Sequence, residues 1–139
     1  MVMRPGLLDT STLILLGRVA DPAQLPDIPS ISAVTMAELT VGPLVARSAE
    51  EQAARQAHLQ LAEADFDPIP FDSAAARAFG RVAQSLREAG RKPSARAFDA
   101  LIAATAISRD LPLYTCNPSD FDGIPGLDLR PVSVVGRSA

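Results

Sequence analysis

One run limits what this 139-residue chain can fold into: Ser94-Ala-Arg-Ala-Phe-Asp-Ala-Leu-Ile-Ala-Ala-Thr-Ala-Ile107. Wound as a helix, it is apolar on nearly every side, which suits a helix packed inside a domain rather than on its surface. Ser94 can cap it, and its alanines and leucine are good helix formers. Asp99 interrupts the apolar run. An unpaired buried carboxylate is costly, so Asp99 must be protonated, matched by a cation or open to a cleft. Arg96, one turn earlier, can supply a structural ion pair. Ile102 and Ala103, on the following turn, offer no charge, and the helix dipole has mostly faded at this depth.

A chain of this length suits one domain with a single sizeable core, and 47% hydrophobic residues is an ordinary globular fraction. No apolar run approaches the roughly 18 residues of a membrane span. Arg4-Pro5-Gly6 is followed by too short an apolar segment for a signal peptide. The single cysteine, Cys116, excludes an internal disulfide and fits a reducing compartment, so a cytoplasmic protein is expected. The net charge of −3 argues against coating nucleic acid by bulk attraction. Its distribution says more. Between Ser73 and Phe98, six basic residues (Arg77, Arg81, Arg87, Arg91, Lys92 and Arg96) face one acid, Glu88, a local charge of +5.

Strand and helix signals alternate along the chain. Leu7-Leu8 begins a short strand, and Asp9-Thr10-Ser11 starts a helix to about Arg18, with Asp9 a natural cap. After a Pro-rich loop, Ser30 to Val34 reads as a second strand. Thr35-Met-Ala-Glu38 then opens a helix to about Val45 in a capping-box pattern. A second capping box at Ser48 starts a helix to about Ala64, with Ala54, Ala57 and Leu61 as its inner stripe and His58, the only histidine, on a polar flank. Phe66 to Phe71 reads as a short edge strand, because Pro68 and Pro70 cannot donate to a ladder. Asp72 caps a helix to about Ala89 with Phe79, Val82, Ala83 and Leu86 inward. Arg77, Arg81 and Arg91 take its opposite side, either as a solvated charged face or as an RNA-contacting one. Beyond the central run come a strand at Leu113–Thr115, a short helix start at Asn117-Pro118 and a last strand within Leu127–Val135. The pattern predicts a single α/β domain over residues 1–139, a three-layer sandwich around a mainly parallel sheet.

In such a sheet the strand ends converge on one crevice. Asp9 follows strand one, Glu38 lies in the first turn after strand two and Asp120 follows the late strand. Asp99 can face the same crevice. Carboxylates held close repel, and without a cation at least one stays protonated. Hard divalent cations take oxygen ligands, and Mg²⁺ typically combines a few carboxylates with water and substrate phosphate. No Cys/His cluster competes for zinc. The acids therefore suggest metal-assisted phosphodiester chemistry.

Four ordered motifs carry a resemblance: Leu8-Asp9-Thr10-Ser11; Thr35-x-x-Glu38-Leu39; Phe98-Asp99-x-x-Ile102-Ala103-Ala104; and Leu113-x-Thr115-x-Asn117-x-x-Asp120-Phe121. Together, over Leu7 to Val132, they resemble the PIN domain, most of all the VapC-type toxins of bacterial toxin–antitoxin systems. The resemblance implies a PIN fold, a Mg²⁺- or Mn²⁺-dependent endoribonuclease, a homodimer and a cognate antitoxin that blocks the site. Carried over residue by residue, it makes Asp9, Glu38 and Asp99 the core metal-binding acids and Asp120 the fourth. Asn117, Thr115 and Ser11 become auxiliary groups. Outside the motifs, Arg96 and, on the basic helix face, Arg81 are candidate RNA contacts. Cys116 departs from the pattern, since many relatives have Arg after the Thr, and substrate grip is then left to other groups.

Two other readings compete. A phosphoacceptor signalling domain also has an acidic Mg²⁺ pocket, but it needs a Lys after a late strand, and the only lysine, Lys92, precedes the central helix. A non-catalytic RNA- or protein-binding module on the same fold is the alternative, and the presence of all four acids argues against it.

Overall fold

The computed structural model describes residues 2–92 and 96–136. Four short strands form one all-parallel sheet in the order β2-β1-β3-β4: β1 (Pro5–Leu8), β2 (Ile28–Ser30), β3 (Leu113–Thr115) and β4 (Leu129–Pro131). Five helices connect and cover them: α1 (Thr10–Ile14), α2 (Ala33–Val41), α3 (Ala49–Asp65), α4 (Ser73–Glu88) and α5 (Ala97–Ser108). From β1 the chain first steps to one neighbour, β2, and returns much later to the other, β3. The direction of winding therefore reverses between β1 and β3, and ligands of open α/β sheets bind at such a point.

Period-two alternation divides the core between two faces. Leu7 and Leu113 pack with Ile102, Ala103 and Ala106 of α5. Leu8 and Tyr114 point the other way, into a cluster with Leu39, Leu59 and Ala62. Beneath Tyr114, β1 carries Gly6, where any side-chain carbon would overlap the tyrosine ring and crowd Pro26. Helix α5 is buried on its remaining side as well, because Ala100 and Ala104 meet Ala78, Val82 and Leu86 of α4. That explains its nearly all-round apolar sequence, and the alanines let the two helices approach closely.

Most expected elements form, with corrections set by local chemistry. Strand two lies earlier than expected, at Ile28–Ser30, and Ala33-Val34 already belong to α2. Ser32 captures the cap, accepting from the Thr35 amide at 3.1 Å, so Thr35 is an interior helix residue and the Thr35–Glu38 capping box does not form. Phe66–Phe71 makes a single parallel bridge, Ile69 to Ser32, and no strand. It does sit at the sheet edge, where the prolines flanking Ile69 limit it to that bridge. On α3 the inward residues are Leu59 and Ala62, while Ala54, Ala57 and Leu61 are exposed. His58 is half-buried. The last strand is confined to β4, with Val134 bridging antiparallel to Val19. Asp72 and Ser48 cap α4 and α3 as expected. Arg96 occupies the cap position of α5; Ser94 lies outside the described residues.

Candidate active site

The sheet and α5 present four carboxylates from four separate elements. Asp9 leaves β1 at the point where the winding reverses and caps α1, so its main chain is fixed by both. Its carboxylate is held from several sides. Oδ1 accepts from the Thr12 amide at 3.0 Å and the Thr12 hydroxyl at 2.5 Å, and Oδ2 accepts from Thr115 Oγ1 at 2.7 Å. Ser11 Oγ adds longer contacts to both oxygens, at 3.1 and 3.2 Å. The Thr115 bond crosses from β3 to β1, directly over the reversal. Thr12 has one hydroxyl proton and gives it to Asp9, so its oxygen is free to accept the Cys116 amide at 3.0 Å.

Glu38 is positioned through a chain of hydroxyls. Thr10 Oγ1 donates to Glu38 Oε1 at 2.6 Å, which uses its only proton. Thr35 must therefore donate in the 3.0 Å contact with Thr10, and Ser32 in turn donates to Thr35 at 3.4 Å. Ser32 and Thr35 are fully buried, so the order from Ser32 to Thr35 to Thr10 to Glu38 is protected from water. Burial raises the Glu38 carboxyl above its ordinary value, with the Thr10 bond opposing this and Asp9 adding repulsion. Oε2 has no hydrogen-bond partner among the described residues.

Asp99 is treated differently. It stands in the first turn of α5 with its side chain 29% exposed, and it accepts no hydrogen bond among the described residues. Its carboxyl is pushed up to about 6, first by burial and then by repulsion from Asp120, Glu38 and Asp9. The four acids thus share one field. Its opposing influence is Arg96, 3.9 Å away, whose guanidinium also bonds Asp120. The structural ion pair expected of Arg96 therefore forms, and it is shared with the fourth acid.

The auxiliary residues divide. Thr115 and Ser11 hold Asp9, whereas Asn117 uses its main-chain amide on Thr115 Oγ1 at 2.9 Å and makes no side-chain cap of the Pro118–Phe121 turn. Arg81 is exposed on α4. Thr12 lies outside the four motifs, and Thr10 and Thr35 lie within them without an expected role in holding an acid. Their signal was the hydroxyl-rich run Thr10-Ser11-Thr12 beside an acid, and their partners lie as far away as residue 116.

Among the described residues no three His, Cys, Asp or Glu side chains already form a metal-ready group. Arg96 lies against Asp99 and Asp120, and Thr10 bonds Glu38. The donor chemistry nonetheless fits a hard divalent cation, because every candidate ligand is a carboxylate oxygen and Asp99 is without a hydrogen-bond donor.

The PIN domain matches residues 7–127. The chain belongs to the PIN-domain family. It is 42% identical over 123 residues to Ribonuclease VapC5 of Mycobacterium tuberculosis, covering 87% of this chain and 88% of that protein. Ribonuclease VapC4 of the same organism is 31% identical over 131 residues, covering 93% and 98%. Among solved structures, VapBC-5 of M. tuberculosis, a member of the VapBC family of toxin–antitoxin systems, superposes with a TM-score of 0.79. It is 38% identical and covers 92% of this chain and 98% of that one. VapBC2 of Rickettsia felis shares the fold with a TM-score of 0.71 at 22% identity. The mainly parallel sheet expected from strand–helix alternation is all-parallel, and flanked by helices it is the fold of this PIN domain.

Proposed function

We propose that this PIN domain is a divalent-metal-dependent endoribonuclease acting as the toxin of a toxin–antitoxin pair in the cytoplasm. The observation that carries this reading is Asp99: a half-buried carboxylate without a hydrogen-bond donor, repelled by three other acids at a strand-order reversal. A protein keeps such a group when something positive completes it, and perturbed acids in a cleft favour a functional site. The homology to VapC ribonucleases points the same way.

In this reading Asp9, Glu38, Asp99 and Asp120 hold Mg²⁺ or Mn²⁺ and carry the reaction. When bound, such an ion polarises the phosphate and lowers the pKa of water. Asp9 is the rigid reference, since Thr12, Thr115 and Ser11 fix its orientation before any ligand arrives. Glu38 keeps Oε1 on Thr10 and offers Oε2. Asp99 and Asp120 would complete the ligand set, and Arg96, which now pairs with both, would be available to an RNA phosphate. Arg81 on α4 extends the basic surface.

A partner antitoxin is part of the reading. Beside α1 and α3 the surface is grooved by two adjoining hollows that share Ile14 and His58, one reaching Glu38 and the other Leu61 and Phe66. Ile14 and Leu61 are exposed there. An antitoxin segment that lays apolar side chains along this groove and reaches the acids with an arginine would cover both. Exposed Val41, Leu44 and Val45 give a second copy of the chain apolar surface to cover in a homodimer.

The test is purified, antitoxin-free protein on total cellular RNA, followed by end-group analysis. Cleavage that requires Mg²⁺ or Mn²⁺, stops with EDTA and leaves 5′-phosphate ends is expected. Metal-independent products ending in cyclic phosphate would overturn the reading.

A further inference from the structure

Where the last turn of α4 meets the first turn of α5, a cavity of about 250 Å³ opens beside the acids. Asp99 and Asp120 form the wall it shares with the candidate site, and Leu86, Ala100 and Ile124 give it apolar lining. Arg91, Lys92 and Arg96 supply its positive charge. Arg96 is engaged by the two acids, but Arg91 and Lys92 have no carboxylate within ion-pair distance among the described residues. Arg91 is also held in place. Its guanidinium donates to the Asp122 carbonyl, and its stem runs beside Gly123, whose φ of +84° turns the chain there. A fixed cation and a free one beside an apolar hollow, next to acids suited to a metal ion, make an arrangement with two distinct halves. One half attracts an anion and the other shelters a flat apolar face.

We propose that this cavity is a nucleotide subsite for single-stranded RNA. It takes the nucleotide beside the cleaved phosphate, with the base against Leu86 and Ile124 and the neighbouring phosphate on Arg91 and Lys92. The proposal rests on the ribonuclease reading above and adds where the substrate lies. Size favours this occupant, because the cavity is smaller than the about 300–1,000 Å³ of pockets that enclose a whole ligand. It can take one splayed nucleotide and no folded segment. Single-stranded RNA offers unstacked bases that proteins receive on apolar and guanidinium surfaces, which duplex RNA does not. The subsite also gives a role to Lys92, the lone lysine, and supplies phosphate contact where Cys116 offers none.

The test is steady-state cleavage of a labelled single-stranded RNA of mixed sequence in Mg²⁺ across a salt series. The variants are Arg91→Gln/Lys92→Gln, Lys92→Gln and Ile124→Trp, with melting temperature and Mn²⁺ titration as controls. The double variant is expected to raise KM roughly tenfold, with the loss falling on KM rather than kcat. Its log–log salt slope should fall by about 0.7, the value for one neutralised phosphate on a single strand. Ile124→Trp, which fills the hollow, should raise KM with the slope unchanged. If wild-type protein cleaves RNA while Lys92→Gln and Ile124→Trp keep its KM, the subsite is wrong and the ribonuclease reading survives. The subsite is equally overturned if the double variant raises KM only together with lost stability or metal affinity. If wild-type protein neither binds nor cleaves RNA, both fall.

Discussion

Asp9 and Asp99 face the same crevice, and the fold treats them in opposite ways. Asp9 is 3% exposed and accepts hydrogen bonds from Thr12, Thr115 and Ser11, with two secondary-structure elements fixing its main chain. Asp99 is more exposed, accepts none among the described residues and is repelled by its neighbours. Removing the charge should therefore have opposite consequences at the two positions. At Asp9 the carboxylate is part of the structure, and buried donors are left unsatisfied without it. At Asp99 the carboxylate is repelled by more charge than Arg96 offsets, and a further cation would relieve it. A site can thus contain one acid that builds the scaffold and another that waits for the ligand.

The largest expected effects are on activity. Asp9→Ala and Asp99→Ala should each reduce RNA cleavage by at least about 10²-fold, since electrostatic groups at a reacting phosphate contribute on that scale. Activity alone does not separate the two acids, but stability does. Metal-free Asp9→Ala should lose about 1–3 kcal/mol in denaturant melts, the scale for orphaning buried hydrogen-bond donors. Metal-free Asp99→Asn should be at least as stable as wild type at pH 7. Equal destabilisation by both would break the comparison.

Thr115→Val sharpens it further. It removes one donor from Asp9 and the acceptor of the Asn117 amide, so a loss of about 1–3 kcal/mol is expected in the same melts. Thr10→Val, by contrast, frees Glu38 Oε1 and should lower activity more than stability, because Thr10 is only partly buried.

The pH dependence follows from the Asp99 shift. Its folded value near 6 lies above the ordinary 3.8, so the folded state binds the proton more tightly. Stability from this group is fully present below the ordinary value and is lost as pH rises through about 6. Glu38, also raised, adds the same sign. Between pH 7 and pH 5, metal-free protein should gain about 1 kcal/mol, discounted for the partial exposure of Asp99. In Asp99→Asn most of that gain should vanish. The smallest effect is expected at Arg81→Ala: a salt slope for RNA binding reduced by about 0.7, with kcat retained.

Much of this arrangement was legible before the structure. The apolar run around Asp99 announced a helix covered on nearly all sides, and α5 is buried by the sheet and by α4. Asp9, Glu38 and Asp120 were expected to converge from their places after strands, with Asp99 facing them from the central helix. The missed features have physical reasons. At the start of α2 two caps compete, and Ser32 prevails because it is buried against Thr35, which the spacing to Glu38 cannot reveal. On α3 the alanines read as an inner stripe, yet small side chains are tolerated in solvent, and the inward side includes His58 with Leu59. Ile69 reaches the sheet but its flanking prolines stop the ladder. Thr10 meets Glu38 across 28 residues and Thr115 meets Asp9 across 106, and no local pattern records such pairs.

The four carboxylates carry more negative charge than Arg96 balances, and a divalent ion would offset the rest. The most direct measurement is the melting temperature of wild type and Asp99→Asn at pH 7, in EDTA and in saturating Mn²⁺. At about one hundred times the dissociation constant, a ligand bound only by the folded state adds about 2.7 kcal/mol, which in a domain of this size is roughly 10 °C. Wild type should rise by about that amount, and Asp99→Asn should start higher in EDTA and rise little. Equal melting of wild type in EDTA and in Mn²⁺ would contradict the account.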